Sequence, residues 1–283
     1  MTYLAMINFN GALRPDVEVR LSPSNRSFRF ADGVFETIKF ARGKILFWED
    51  HYFRLMSDMR ILRMNIPISW SPEHLEQEIL TTLDANALEQ GAARIRFTVF
   101  RNGGGGYVPE TSEVSYLVEC YPLVDDEYIL PQAGKIMQLF QDHVKPTGLL
   151  SNLKSASAQV YILAGIFARE NGFDDCFLIN EHKHLVEAVS SNIWLVKGKT
   201  IKTPALSQGC VKGVLRANLL KWLPKWGYEA EETEITPFEL QRVDEVWLTN
   251  TIRGIEWVQQ YRKKSYENSE AQAVARHLNT ALT

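Results

Sequence analysis

The sequence predicts an α+β protein built as two unequal domains. Three observations lead there. At 283 residues and 45% apolar, the chain is long enough for two cores at roughly 150 residues per domain, and it needs no disulfide or metal staple. Strand-like and helix-like periodicities alternate in both halves. Between them, residues 121–132 (YPLVDDEYILPQ) carry two prolines and three consecutive acids, Asp125, Asp126 and Glu127, as a linker does. The expected division is an N-terminal domain over 1–121, a linker over 122–132 and a C-terminal domain over 133–283.

Residues 4–9 read as a strand closed by Asn10-Gly11, a pair that tolerates the left-handed backbone of a hairpin turn. A second strand over 34–40 meets a turn at Arg42-Gly43-Lys44. In 49–64, Tyr52, Phe53, Leu55, Met56, Met59 and Leu62 recur at helical spacing. Ser71-Pro72 opens another helix and Gly91 closes it. Residues 94–99 alternate at period two as a half-buried strand, and 114–121 form its successor. After the linker come a strand over 135–141, a helix from about 155 to 170 stopped by Gly172, and short strands over 175–180, 192–196 and 200–203. The last two are joined by a hairpin at Lys197-Gly198-Lys199. A helix over 214–226 is expected to end or kink at Pro224, followed by a strand over 246–249 and a terminal helix over 271–281.

Composition narrows the function. The 31 basic and 34 acidic residues leave a net charge of −3, and no basic tract exceeds Arg262-Lys263-Lys264, so nucleic acid is not an expected partner. The first twenty residues lack a basic segment followed by an apolar core, and the longest apolar run, 161–168, is far below the ~20 residues of a membrane span. Three scattered cysteines, Cys120, Cys176 and Cys210, fit reduced thiols in a cytoplasmic protein with no membrane partner. The six histidines show no metal-ligand spacing, so no metal is expected.

Lys154 lies where a polar loop, HVKPTGLLSNLK, turns into the expected helix. The positive end of a helix disfavours an ammonium, and with burial this pushes a lysine toward the neutral amine that condenses with an aldehyde. Taken alone, Lys154 also fits a solvated lysine at a helix start. Glu187 sits among Leu185, Val186, Ala188 and Val189 ahead of Ser190-Ser191-Asn192. A carboxylate in such company needs a partner, and a protonated pyridine nitrogen is one; a strand-edge glutamate in water is the other reading. The run Arg101-Asn102-Gly103-Gly104-Gly105-Gly106-Tyr107 brings backbone close to an anion or forms a mobile hairpin tip.

Read in order, FxDGVFET, HxxRL, the central lysine, ExxSSN, GVLR and LTNT resemble the class IV aminotransferase family, from about Asn8 to Val258. These are pyridoxal 5'-phosphate enzymes of fold type IV: branched-chain and D-amino-acid aminotransferases and 4-amino-4-deoxychorismate lyases. The resemblance implies two domains with the cofactor between them and a homodimer. Lys154 would be the Schiff-base lysine and Glu187 the partner of the pyridine nitrogen. Arg54 would bind the phosphate, with the backbone amides of Val214 and Leu215 and with Asn250 and Thr251.

Among the family's members, RNGGGGYVP is most similar to the glycine-rich loop of the lyases, and Thr37 falls where lyases carry threonine. Phe30 stands where aminotransferases usually place a tyrosine that helps bind substrate carboxylate. The expected activity is therefore aminodeoxychorismate lyase, releasing p-aminobenzoate and pyruvate. Lys154 would remove a proton, Lys154 or Thr37 would protonate the leaving group, and Arg101 and Tyr107 would take the substrate carboxylates. Two departures run the other way: Gly105 replaces an arginine found in some lyase loops, and Gln159 replaces a tyrosine that often meets the cofactor ring oxygen. Tyr161, two residues further along a helix, lies on a different face. The alternative is a branched-chain or D-amino-acid aminotransferase; a more distant one is a non-catalytic protein of this fold.

Overall fold

The computed structural model describes residues 5–282; Leu4, expected to open the first strand, lies outside them. Two compact units emerge. One holds the described residues up to Glu127 together with Lys154–Ser157, and the other holds Tyr128–Leu153 and the residues from Ala158 onward.

The first unit is an antiparallel sheet with helices on one face. Its strands are β1 (Met6–Phe9), β2 (Ala12–Pro15), β3 (Gly33–Ala41), β4 (Lys44–Ile45), β5 (Ala92–Arg101) and β6 (Val114–Leu123), in the order β2-β1-β6-β5-β3-β4. Its helices are α1 (Arg26–Phe30), α2 (Trp48–Ile61) and α3 (Pro72–Ala85). Asn10 and Gly11 have φ of 52° and 85°, and Arg42 and Gly43 have 54° and 72°, so both tight hairpins carry two positive-φ residues, the turn that matches strand twist. Ser71 caps α3 by accepting the His74 N–H at 3.2 Å. That helix stops at Ala85, short of Gly91, because the Asn86 side chain pairs with the backbone of Met6 in β1, accepting its N–H at 2.9 Å and donating to its carbonyl at 2.8 Å.

Strand periodicity splits β3 between two environments. Val34, Ile38 and Phe40 join a core with Leu55 and Met59 of α2, Leu75, Ile79 and Leu83 of α3, and Ile95, Phe97 and Val99 of β5. Each such side chain contributes roughly 1.5–3 kcal/mol of burial. Phe35 and Thr37 point to the opposite face.

The second unit contains β7 (Lys135–Leu139), α4 (Gln159–Glu170), β8 (Asp175–Ile179), β9 (Leu185–Ala188), β10 (Asn192–Lys197), β11 (Thr200–Pro204), α5 (Val214–Trp222), β12 (Glu229–Thr233), β13 (Glu245–Asn250), β14 (Gly254–Tyr261), β15 (Lys264–Ser265) and α6 (Ser269–Ala281). The sheet runs β12-β11-β10-β13-β14-β7-β8-β9, with β15 paired to β14. Parallel pairing occurs at β11/β12, β7/β14 and β7/β8. One core gathers Met137, Phe177, Ile193, Leu195, Val246, Leu248 and Val258; a second, under α4, gathers Phe140, Ala164, Ala168, Leu178 and Val186.

One helix ends where its proline predicts, and another starts later than expected. Pro224 ends α5 at Trp222 and opens a short 3-10 turn, since proline has no N–H to continue the ladder. The helix expected from residue 155 starts only at Gln159. Residues 154–156 are extended instead: Ser155 bridges Val34, the Phe35 N–H donates to the Lys154 carbonyl at 2.9 Å, and the Ala156 N–H donates to the Gly33 carbonyl at 2.9 Å. Lys154 is thus fixed by strand-like pairing to β3 and not by a helix end.

Candidate active site

In the first unit, Lys154 is held at both ends. Its backbone N–H donates to Asp58 Oδ2 at 2.9 Å, and its Nζ lies 4.5 Å from the centre of the Phe35 ring. The Arg96 guanidinium lies on the same ring at 3.9 Å. Arg96 is paired with Thr37 across β3 and β5, so Phe35, Thr37, Arg96 and the Lys154 amine share the face of the sheet opposite the helices.

Behind that strand, on the helix side, Glu36 joins two α2 side chains. Arg54 approaches it in a fork, with Nε at 2.7 Å from Oε1 and an amino nitrogen on Oε2. His51 Nδ1 is 2.7 Å from Oε2. Burial pushes the Glu36 carboxyl up, but Arg54 and His51 together pull harder and bring it down to about 2. Burial lowers the His51 pKa, outweighing Glu36. His51 is therefore neutral, with its proton assigned to Nδ1 as donor to Glu36; Nε2 is buried with no hydrogen-bond partner among the described residues. Glu36 orients Arg54 and His51 steadies Glu36.

In the second unit, Glu187 sits on β9 with 3% of its surface exposed. Its Oε1 accepts from the Lys145 ammonium and from the Tyr161 hydroxyl at 2.7 Å, and its Oε2 accepts from the Val211 N–H at 2.9 Å. Burial, then the Glu187 charge, raises the Tyr161 pKa far above the ordinary range, so the hydroxyl stays a donor. Two residues after Val211, Gly213 precedes α5 and offers no side chain to cap its first turn. A Cβ on Gly213 would lie 2.0 Å from Asn192 Oδ1, and Asn192 is pinned by donating to the Val211 carbonyl at 3.0 Å. Asn250 closes its own turn, accepting from the Ile252 and Arg253 N–H groups and donating to Ser191 Oγ at 3.0 Å. Thr251 is buried, and its carbonyl accepts from Tyr128.

The glycine-rich loop is tied down from below. Arg26 donates to the Gly104 and Gly106 carbonyls at 3.1 and 2.8 Å and to Asp32 at 2.8 Å. Arg101 also reaches Asp32, at 3.0 Å, and donates to the Leu62 and Arg63 carbonyls. The Tyr107 ring rests 5.6 Å from that of Phe30, which lies under the Arg26 guanidinium. Gly105 has φ of 88°, and a Cβ there would meet the Val108 carbonyl at 2.6 Å, so this turn excludes the arginine of some lyase loops.

The first unit offers a lysine amine over an aromatic ring and an oriented arginine. The second offers a helix start with no side-chain cap and a carboxylate with an acceptor direction left over. Among the described residues no cluster of acids, histidines and cysteines is fit for a metal, and no helix is long and apolar enough to cross a membrane. The sequence model of amino-transferase class IV matches residues 33–261. The chain belongs to that family. An aminodeoxychorismate lyase of Vibrio harveyi is 27% identical over 233 residues, covering 82% of this chain and 83% of that protein. Branched-chain-amino-acid aminotransferase 6 of Arabidopsis thaliana is 26% identical over 293 residues, covering 96% and 80%. The branched-chain amino acid aminotransferase of Thermobaculum terrenum, solved in its PLP form, superposes with a TM-score of 0.85 at 18% identity, covering 100% and 96%. The fold is that of fold type IV aminotransferases.

Family motifs therefore fall in both units. Lys154, Arg54 and Thr37 lie in the first, and Glu187, Val214, Leu215, Asn250 and Thr251 lie in the second. Lys145, Asp58 and Arg96 escaped sequence reading. Lys145 and Asp58 carry no local pattern. Arg96 did carry one, as a polar position of an alternating strand that also faces Thr37.

Proposed function

We propose that the protein is a pyridoxal 5'-phosphate-dependent 4-amino-4-deoxychorismate lyase that releases p-aminobenzoate and pyruvate. It acts as a cytoplasmic homodimer. The observation that carries the reading is the shared face of β3, where Thr37 follows two residues after the ring on which the Lys154 amine rests. An elimination needs one group to take a proton and another to protonate the departing oxygen; amino transfer is served by the lysine alone.

Bound pyridoxal 5'-phosphate supplies an aldehyde carbon that takes an amine and a ring that withdraws electrons from it. Lys154 would hold that carbon, and its amine would take the proton from the substrate C4. Thr37 delivers a proton to the enolpyruvyl oxygen as its bond to the ring carbon breaks. Arg54, oriented by Glu36, would hold the phosphate, a role the Val214 and Leu215 N–H groups at the start of α5 would also serve, with Asn250 shaping its own turn and Thr251 following it. Glu187 would accept the hydrogen bond of the ring nitrogen. Arg96 takes a substrate carboxylate, because its guanidinium shares the Lys154 face. Arg101 positions the glycine loop, with its donors turned inward to Asp32 and two carbonyls. Phe30 and Tyr107 form the aromatic edge of that loop.

The test is product analysis with no keto acid present. Aminodeoxychorismate alone must give p-aminobenzoate and pyruvate in equal amounts, and borohydride must fix the cofactor to Lys154 in the wild type but not in Lys154→Ala. Turnover that requires 2-oxoglutarate and yields glutamate from branched-chain or D-amino acids selects the aminotransferase instead.

A further inference from the structure

Glu187 has three donors, and one of them is a cation. Lys145 is 4% exposed; besides Glu187 it donates to the Ser151 carbonyl at 3.0 Å, and its ammonium lies 5.2 Å from the centre of the Tyr161 ring. A carboxylate offers about four acceptor directions. Lys145 and Tyr161 take both on Oε1, and the Val211 N–H takes one on Oε2, which leaves a single direction open. A buried ammonium needs a compensating carboxylate, and Glu187 is the one that Lys145 meets.

Resting on the reading that Glu187 faces the ring nitrogen of the cofactor, we propose that Lys145 is a positioning residue that weakens Glu187's hold on the proton of that nitrogen. A carboxylate already shared with an ammonium is a poorer partner for a second cation, and the ammonium also repels it. The ring nitrogen then binds its proton less tightly than an unshared glutamate would make it do, and the ring withdraws electrons more mildly. Mild withdrawal is enough for a reaction whose product becomes aromatic. Amino transfer has no such drive, so Lys145 biases the site toward elimination.

The other titratable groups near Glu187 are Tyr161 and Cys210, with Arg216 and Glu232 acting on Cys210. Burial lifts the Cys210 thiol to about 11, and the Tyr161 hydroxyl is raised further, so neither changes charge near neutrality. Lys145 supplies the charge that acts.

The experiment loads the full-length protein with cofactor labelled with nitrogen-15 in the ring and follows its nitrogen resonance against pH. Lys145→Met is expected to raise the pH at which the ring nitrogen loses its proton by about one unit, a tenfold gain in proton affinity. Lys145→Arg is expected to restore the wild-type value, and Tyr161→Phe to shift it the same way by less. A ring nitrogen unmoved in folded, loaded Lys145→Met overturns the proposal. Should that variant not fold, Lys145→Gln takes its place, and an unmoved nitrogen there overturns the proposal equally. Failure of the underlying reading looks different: wild-type protein would take up no cofactor, or Glu187→Gln would leave the nitrogen resonance unchanged.

Discussion

The carboxylate of Asp58 accepts the backbone N–H of Lys154 at 2.9 Å, tying an α2 side chain to the proposed Schiff-base lysine. Asp58 is 5% exposed. Together with the pairing of Lys154 to Phe35, it fixes the point from which the lysine side chain springs.

Asp58→Ala leaves that donor without its acceptor, a loss of about 1–3 kcal/mol where the group is buried. A displacement of about 1 Å at the reacting group costs on the order of a hundredfold in rate. The expected result is a folded protein with a lowered Tm and kcat reduced ten- to a hundredfold. Asp58→Asn keeps an acceptor oxygen and is expected to retain most of the rate. Equal kcat in Asp58→Ala and wild type would reject the assignment.

Stability should fall in two acid steps, one from the burial of His51 and one from the ion pairs of Glu36. His51 has a lowered folded pKa, so the unfolded chain binds its proton first; the stability it contributes is full above about pH 6.5 and is lost as pH drops below that value. Glu36 has a folded value of about 2 against 4.5 for the ordinary group, so its contribution is full above 4.5 and lost as pH falls toward 2. Urea titrations from pH 8 to pH 3 should show both declines. His51→Gln should remove the first and leave the second. A single decline confined below pH 4.5 would show that His51 is not held neutral.

How much of this was readable beforehand depends on the range of the interactions involved. The β5 strand was legible because period-two alternation in 94–99 is a local signal with a buried face to match. The two-residue turn at Asn10-Gly11 was legible because few residue pairs tolerate two positive φ angles. The start of α4 was not, since what keeps residues 154–156 extended is pairing to Gly33 and Phe35, far away in sequence. Lys154, Arg54 and Glu187 stood out through the order of their motifs. Lys145 did not, because its meaning lies in the carboxylate it meets across 42 positions. The partners of Arg101, namely Asp32 and the Leu62 and Arg63 carbonyls, were not legible, because the fold alone brings them to it.

Gly213→Ala tests the start of α5. The backbone there, at φ −65°, accepts alanine without strain, so the effect is steric. The added methyl would lie 2.0 Å from Asn192 Oδ1, and Asn192, 7% exposed and bonded to the Val211 carbonyl, has little room to yield. The first turn of α5 must move, along with the Val214 and Leu215 N–H groups. Cofactor affinity should weaken about tenfold, equivalent to about 1.4 kcal/mol, in a fluorescence titration of the apoprotein. Adding Asn192→Gly to Gly213→Ala removes the obstruction and should recover part of the affinity. If the double variant binds no better than the single one, the collision is not the cause.

Thr37→Val separates elimination from cofactor binding. Valine keeps the shape and the β-branch that a strand favours, so β3 should fold unchanged and the aromatic contact of Lys154 with Phe35 should persist. What disappears is the hydroxyl on the face shared by Lys154 and Arg96. If that hydroxyl protonates the leaving oxygen, kcat for aminodeoxychorismate should fall by about 10²–10⁴, the usual contribution of a positioned proton donor. Cofactor affinity should stay within about twofold, and KM should change little, because a group that acts only as the bond breaks does not hold the ground state. Exchange of the substrate C4 proton with solvent should continue in the variant, since Lys154 still removes it. Loss of that exchange together with turnover would place Thr37 upstream, in substrate positioning, and unaltered kcat would leave Lys154 as the only proton carrier.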